Sequence, residues 1–176
     1  MCASETRTHN TPSNNLQNVL ILSLKGEKQM AQIQRTANAV WQGDSRSGGG
    51  KFSTGSGVIR DQAYTWRMRF EDEPGTNPEE LVAAAHAACY SMALASGLSK
   101  AGFTPDSLRT YATLLMEQET AGWTVTRIRL EVEGQVPNID EAAFQQHAET
   151  AKKNCPISRL LTPGLKSIDL AATLKK

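Results

Sequence analysis

The alternation of apolar and polar residues predicts that the folded part of the chain begins with a β-hairpin. Residues 34–41 and 51–59 have strand character, and the segment between them, residues 43–50, is rich in turn-forming residues and ends in three glycines. Two short strands joined in this way are typical of a hairpin. The glycine run matches neither of the common phosphate-binding patterns, so we interpret it as a connection.

A third strand is predicted over residues 64–70. Apolar side chains occupy every second position of this segment, and Arg67 and Arg69 lie between them. Alternation of this kind is typical of a strand with one buried face. The two arginines would therefore share the face opposite the apolar side chains.

A long helix is predicted from Pro78 to about residue 100. Asn77 is a favourable N-cap, and proline is favoured at the first helical position. Glu79 and Glu80 place carboxylates in the first turn, where the helix dipole favours negative charge.

The composition of this helix predicts that it lies at the centre of the fold and is largely buried. It is rich in alanine and apolar residues, with few polar side chains to mark a solvent face. One stripe at helical spacing places Cys89 on an otherwise apolar face of this helix. The members of that stripe are Leu81, Ala85, Cys89, Met92 and Ser96.

The second half of the chain alternates strands with helices. The predicted elements are strands over residues 108–117 and 126–133, helices over residues 140–154 and 156–161, and a last strand over residues 166–174. Strands first, then a central helix, then further strands and helices indicate an α+β fold.

Bulk properties exclude some functions and suggest a location. A net charge of +1 argues against a protein that binds nucleic acid by neutralising phosphates. The apolar run at residues 19–24 is far shorter than the roughly 20 residues needed to cross a bilayer, and we predict no segment that spans a membrane. An odd count of three cysteines fits the reducing cytoplasm better than a secreted disulfide framework.

Composition also divides the chain into two parts. Serine, threonine and asparagine dominate the start of the sequence, with little to bury. We predict that residues 1–30 are a disordered N-terminal extension. Residues 31–176 are predicted to form the folded domain.

Cys89 and Cys155 are the candidates for chemistry. Cys89 lies within the long helix in Ala-Ala-His-Ala-Ala-Cys-Tyr, and Cys155 lies where one helix ends and another begins. Charged partners lie upstream, in residues 67–71 and in the pair Glu79-Glu80. A thiol peroxidase needs an activated sulfur, a cation that holds it ionised, a carboxylate that orients the cation, and a second sulfur.

The residues alone favour Cys155 as the more acidic thiol. It precedes Pro156 at a helix start, where the dipole favours a thiolate. Cys89 lies in the middle of a helix without such help, and an apolar face raises the pKa of a thiol.

Four segments carry a resemblance to a known family. They are Trp41-Gln42-Gly43-Asp44, Gly75-Thr76-Asn77-Pro78-Glu79-Glu80-Leu81, His86-Ala87-Ala88-Cys89 and Asn154-Cys155-Pro156-Ile157-Ser158. Together they resemble the OsmC subgroup of the OsmC/Ohr family, and the likeness extends over residues 31–176. The histidine before the first cysteine favours OsmC over Ohr.

The resemblance implies an OsmC-like fold in which β-sheets wrap around the long central helices of an intertwined homodimer. It also implies active sites at the subunit interface and a thiol-dependent peroxidase that reduces organic hydroperoxides to alcohols in stress defence. The electrons would come from an external dithiol, of the lipoyl type in this family. No cofactor or metal is called for, because sulfur carries the redox chemistry.

The resemblance also assigns roles to four residues. Cys89 would be the peroxidatic cysteine, and Cys155 would trap its sulfenic acid as a disulfide. Arg69 would lie near the peroxidatic sulfur, and Glu79 would orient Arg69.

Two alternatives for the charged pair stay open. Strand alternation places Arg67 on the same face as Arg69, so periodicity does not separate them. Glu80 is adjacent to Glu79 and is an alternative partner.

Two other classes of function stay open as well. A redox-responsive binding protein could use a Cys89–Cys155 disulfide to alter an interface without catalysis. A metal or small-ligand binding module could use His86, His147 and the cysteines, although the sequence has no Cys-x-x-Cys pair.

Overall fold

The computed structural model describes residues 32–175. The disorder predicted for residues 1–30 lies outside the described residues. Residues 32–36 have no regular secondary structure, and Ala37–Lys176 cluster as one compact unit.

The first sheet contains the predicted hairpin. Strands β1 (Ala37–Gln42), β2 (Gly49–Thr54) and β3 (Gln62–Thr65) are antiparallel in the order β1-β2-β3. The Asp44 carboxylate accepts hydrogen bonds from the Arg46 and Ser47 N–H groups and so closes the loop between β1 and β2. Strand β2 is shorter than predicted, because the chain turns after Thr54.

The prediction of a strand over residues 64–70 is wrong beyond Thr65. The chain forms a short helix there, α1 (Trp66–Phe70). The Thr65 hydroxyl accepts a hydrogen bond of 3.1 Å from the Met68 N–H, and this cap favours the helical turn over continued extension. Residues two apart on a helix face different directions, so Arg67 and Arg69 do not share a face.

Helix α2 (Pro78–Lys100) has the predicted bounds and cap. The Asn77 side chain accepts a hydrogen bond of 2.8 Å from the Glu80 N–H, and Pro78 is the first helical residue. Gly102 has a φ of +88° just after the last turn, a conformation that ends helices and favours glycine.

The prediction that α2 is largely buried is wrong for this chain, and the apolar stripe through Cys89 is not its buried face. Its buried residues follow strict four-residue steps, and they are His86, Tyr90, Leu94 and Leu98. Met92, expected inside, is 74% exposed. The larger side chains fill the core and so determine which face of the helix is buried. The sequence does not show this face, because the helix is apolar on all sides and has no polar face. One face of α2 is therefore buried in this chain and the opposite face is open.

The prediction that no segment could span a membrane overlooked one helix that meets the criteria of length and composition. Among the described residues, α2 is long and apolar enough to do so. The core helix of a soluble protein meets the same criterion, and the buried stripe of α2 packs against the rest of this fold. Its length and composition are therefore weak evidence for a membrane span.

The second sheet provides the main wall of the core. It contains β4 (Ser107–Glu119), β5 (Gly122–Gln135) and β6 (Ser167–Lys175) in the order β4-β5-β6. The first two strands are antiparallel, and β6 is parallel to β5. Ile128, Leu130 and Val132 are buried, which confirms the alternation predicted for residues 126–133.

Two further helices connect β5 to β6. Helix α3 (Glu141–Asn154) and helix α4 (Pro156–Leu161) meet at Cys155, as predicted. Helix α2 packs against β4 and α3 packs against β6, and the two helices contact each other, where the Tyr90 hydroxyl donates a hydrogen bond of 3.2 Å to the Ala148 carbonyl. The observed order of elements confirms the α+β class.

The core is closely packed at Gly134. A Cβ at this position of β5 would lie 2.5 Å from the ring of Phe144 on α3. We predict that Gly134→Ala lowers the unfolding free energy by about 1–3 kcal/mol through overpacking. Urea unfolding measures the change. The control is Gly97→Ala in α2, where a Cβ meets no atom within 4 Å and better helix propensity stabilises by up to about 1 kcal/mol. Equal effects of the two substitutions would contradict the prediction.

Candidate active site

The fold brings the two candidate cysteines together. Their Sγ atoms are 3.3 Å apart, and both are free thiols. A disulfide needs about 2.05 Å between sulfurs, so the two sulfurs are in contact without a bond between them. Cys89 is half-buried and Cys155 is fully buried.

Cys155 is fixed at the junction of two helices. Its N–H donates a hydrogen bond of 2.8 Å to the Ala151 carbonyl at the end of α3, and its carbonyl accepts one of 3.0 Å from the Arg159 N–H in α4. The backbone of Cys155 therefore belongs to both helices. A movement of α4 relative to α2 would change the distance between the sulfurs.

The surroundings of Cys89 favour its neutral form in a single chain. Burial raises the pKa of the Cys89 thiol, and the contact with Cys155 raises it further. A hydrogen bond from the Ile157 N–H lowers it, as the second-largest influence after burial. Proline has no N–H, so Ile157 supplies the first free donor of α4. The start of α4 thus lowers the pKa of Cys89 through the Ile157 N–H, whereas sequence reasoning assigned the influence of this helix start to Cys155.

The structure pairs Arg69 with Glu79. The Arg69 Nε lies 3.1 and 3.0 Å from the two Glu79 carboxylate oxygens, and Nη2 lies 2.6 Å from Oε1. The carboxylate is largely buried, with 16% of the side chain exposed. Bidentate pairing fixes the plane of the guanidinium.

The alternative charged residues have other partners. Arg67 forms ion pairs with Glu71 at 3.3 Å and Glu73 at 3.5 Å. The Glu80 carboxylate accepts a hydrogen bond of 3.0 Å from the Thr76 hydroxyl. The turn into α1 therefore separates two arginines that periodicity could not distinguish.

The ion pair and the thiols lie apart within one chain. Glu79 precedes Cys89 by ten residues on α2, a rise of about 15 Å along the axis. Arg69 and Glu79 border a cavity of about 370 Å³ against β4, and among residues 32–175 neither cysteine lines it. Arg69 is not among the causes of the Cys89 pKa shift. The four predicted site residues thus form two groups in a single chain.

An aromatic row flanks Arg69. The ring centroids of Trp66 and Phe70 are 5.2 Å apart, and those of Phe70 and Trp123 are 5.5 Å apart. The Arg69 guanidinium lies 5.0 Å from the centre of the Phe70 ring. The ion pair therefore has an apolar neighbour that could contact an organic group.

Sequence reasoning did not predict a buried hydrogen bond beside the thiols. His86 Nε2 and Ser158 Oγ are 2.8 Å apart, and both residues are buried. Burial lowers the pKa of His86, which keeps the ring neutral near pH 7. The spacing in the sequence could have indicated this bond, because His86 precedes Cys89 by three residues and Ser158 follows Cys155 by three.

The residues proposed for a metal module do not converge. Among residues 32–175 no group of three or more histidine, cysteine, aspartate or glutamate side chains could hold a metal ion. One ring nitrogen of His86 is bonded to Ser158, and His147 packs edge-on against Phe103 with ring centroids 6.1 Å apart.

The fold and the facing thiols define an α+β protein with a dithiol centre. Residues 70–168 match the model of the family described as OsmC-like protein. Peroxiredoxin OsmC of Escherichia coli (strain K12) is 47% identical over 129 residues, which span 73% of this chain and 90% of that protein. The chain therefore belongs to the OsmC-like family, and the resemblance to the OsmC subgroup is confirmed.

Solved structures share the fold. The OsmC-like protein from Mycoplasma pneumoniae has a TM-score of 0.66 at 19% identity, covering 83% of this chain and 100% of that one. The organic hydroperoxide resistance protein OhrB of Bacillus subtilis has a TM-score of 0.60 at 23% identity, covering 80% and 98%. At these identities the likeness concerns the fold alone, and it confirms the predicted OsmC-like architecture.

Burial of His86 predicts a pH dependence of stability. Because its pKa is lower in the folded than in the unfolded chain, the unfolded chain binds more protons between the two values. The unfolding free energy therefore falls as the pH drops through the ordinary value of about 6.5, by at most about 1.4 kcal/mol per pH unit. We expect the wild type to lose more stability than His86→Gln between about pH 8 and pH 5.5. Urea unfolding of both proteins measures this, and an equal loss would contradict it.

Proposed function

We propose that the protein is a thiol-dependent peroxidase that reduces organic hydroperoxides to alcohols. The observation that carries the proposal is the contact of two free thiols, 3.3 Å apart, one of them half-buried. Membership of a family that includes a protein named peroxiredoxin and fold relatives named organic hydroperoxide resistance proteins supports it. The role of such an enzyme is defence against oxidative and osmotic stress.

The proposed cycle uses the two sulfurs in turn. The Cys89 thiolate attacks the distal peroxide oxygen, the O–O bond breaks, and the alkoxide leaves as the alcohol after taking up a proton. The Cys155 sulfur then attacks the Cys89 sulfenic acid, which forms the disulfide and releases water. An external dithiol, of the lipoyl type, reduces the disulfide, and a reducing cytoplasm suits this cycle. No metal or cofactor takes part in these steps.

Burial supports this division of roles. Cys89 is the more exposed sulfur, so it is the one that a peroxide can reach. Cys155 is buried directly behind it and is protected from overoxidation by solvent oxidants. The aromatic row beside Arg69 supports a preference for peroxides with an organic group, because apolar surface favours alkyl or aryl substituents over hydrogen peroxide.

The working form in this proposal is a homodimer with active sites at the subunit interface. In a single chain burial raises the pKa of Cys89, and the Arg69–Glu79 pair lies too far along α2 to offset it. All six residues of β1 are exposed, and the open face of α2 carries Val82 and Met92. A second copy that covers these surfaces can bring Arg69 of the partner subunit to Cys89.

Oxidation by one equivalent of peroxide tests the two-cysteine cycle. We expect cumene hydroperoxide to convert the reduced protein within seconds to a form with a Cys89–Cys155 disulfide, because the sulfurs are already in contact. Non-reducing peptide mass spectrometry identifies the link. Cys155→Ser should accumulate the Cys89 sulfenic acid, and Cys2→Ser should behave as the wild type. Unchanged thiols would refute the peroxidase. A disulfide without dithiol-dependent turnover would favour the redox-responsive binding protein.

Removal of the guanidinium tests the role of Arg69. In a Cys2→Ser, Cys155→Ser background, Arg69→Met should raise the pKa of Cys89, because in the proposed dimer the thiolate loses a cation of the partner subunit. Thiolate absorbance at about 240 nm gives the pKa. At neutral pH the reaction with peroxide should slow at least about tenfold.

The matched control for this test is Arg67→Met. Arg67 lies two residues away on the same short helix but pairs with Glu71 and Glu73. It should leave both the pKa of Cys89 and the peroxide rate unchanged. Equal effects of the two substitutions would contradict a specific role for Arg69.

A further inference from the structure

Two side-chain contacts join α2 to the start of α4, one helical turn apart. Cys89 meets Cys155, and His86 meets Ser158. Three residues separate the partners on each helix, a rise of about 4.5 Å. The two contacts therefore lie side by side in the interface between α2 and the start of α4. We call this interface the seam.

Helix α4 is held by apolar packing of Ile157 and Leu161 against the core, and it has few polar contacts that fix its position along α2. It has only six residues, and no side chain caps its start. Helices this short have little stability of their own. Leu160 on its outer side is 70% exposed. Among the described residues, the His86–Ser158 bond is the only side-chain hydrogen bond that joins the body of α4 to α2.

The position of α4 determines two features of the thiol centre. It places the Cys155 sulfur against Cys89, and it directs the Ile157 N–H at the Cys89 sulfur. Both groups lie within three residues of Ser158, on the first turn of the helix. A bond that fixes Ser158 therefore fixes the whole turn.

We propose that His86 and Ser158 are positioning residues, which hold α4 against α2 so that the Cys155 sulfur faces Cys89 for disulfide formation. The inference rests on the two-cysteine cycle proposed above and assigns to it two residues that do not touch the reacting atoms. Their main effect is on ring closure. For the disulfide to form, the sulfurs must approach from 3.3 Å to about 2.05 Å at a dihedral angle near 90°, and a loosened turn spends less time in that geometry.

The burial of His86 makes this bond its one polar contact among the described residues. A neutral ring has one donor and one acceptor nitrogen. Within the described part of the chain, Nδ1 is buried without a hydrogen-bond partner, so the bond to Ser158 is the one polar contact of this ring. Removal of the serine hydroxyl would leave the ring with no polar partner there.

Ser158→Ala and His86→Gln form the first pair of test variants. We expect Ser158→Ala to slow closure of the Cys89–Cys155 disulfide by about tenfold, from loss of one buried hydrogen bond. The reaction of Cys89 with peroxide should change by less than about threefold. His86→Gln, whose amide can still reach Ser158, should retain most of the closure rate. Rescue by this conservative change is not expected of a residue that only fills space.

The double variant His86→Leu, Ser158→Ala addresses folding. Replacing both partners by apolar groups leaves no buried polar group unpaired and can be nearly neutral for stability. It should fold and still close the disulfide about tenfold more slowly. The control is Ser91→Ala, since Ser91 is a hydroxyl on the same helix that bonds to Thr110 of β4 instead of α4. This variant should close at the wild-type rate.

Closure is measured with two oxidants so that the two proposals can be judged separately. Cumene hydroperoxide reports the peroxidase cycle, with acid-quenched samples analysed for sulfenic acid and disulfide over time. Diamide, an azo compound that accepts two electrons and two protons from the dithiol, closes the disulfide without a peroxide.

The outcomes separate the two proposals. Slow closure of Ser158→Ala and of the double variant with either oxidant supports the positioning role. Closure of the wild type with diamide but not with peroxide would refute the peroxidase. The closure rates of the wild type and the variants with diamide would then decide on the positioning role alone. Wild-type closure rates in Ser158→Ala and in the folded double variant would overturn the positioning role. Failure of the wild type to close with diamide would also overturn it.

Discussion

The rotation of α2 about its own axis is the constraint on which the rest of the molecule depends. Its buried stripe fits the core between the second sheet and α3, with Tyr90 hydrogen bonded to α3 and Leu94 and Leu98 fully buried. Once this stripe is fixed, every other side chain of the helix has a set direction. Cys89, one residue before Tyr90, is turned toward α4, whereas Met92 is turned outward. The thiol centre and the open apolar face therefore result from the same packing.

The same constraint explains why the four candidate site residues form two separate groups in a single chain. Glu79 and Cys89 are carried by one rigid helix, so no rotation of side chains removes the separation of about 15 Å along its axis. Arg69 is tied to Glu79 by a bidentate pair and stays at that end. Meanwhile burial raises the pKa of Cys89. Helix α2 thus holds the Cys89 sulfur and the Arg69 guanidinium apart, because it carries the sulfur and anchors the cation through Glu79. The homodimer proposed above would bring a cation to the sulfur without a change in the fold of either chain.

Features set by neighbouring residues could be predicted from the sequence. The Asn77 cap, the bounds of α2 and the alternation around Leu130 depend on residues within one or two turns or strand steps.

Two predictions were wrong where the local sequence pattern fits two structures equally well. Residues 66–70 alternate as a strand would, yet the Thr65 hydroxyl decides for a helix. The apolar pattern of α2 has no polar side, so it contains no information on which face is inside. His86 and Ser158 are 72 residues apart, and no local pattern connects them.

The two thiols also show that the effect of a helix start on a nearby group depends on which backbone N–H groups are free and which group they approach. Cys155 occupies the N-cap position of α4, and sequence reasoning therefore gave it the benefit of the helix dipole. Pro156 has no N–H to offer, so the first available donor belongs to Ile157 and faces Cys89. Geometry thus gives the donor to the sulfur that is also the more accessible to a peroxide. The more accessible of the two sulfurs is therefore also the one whose pKa the Ile157 N–H lowers, although burial raises that pKa by more.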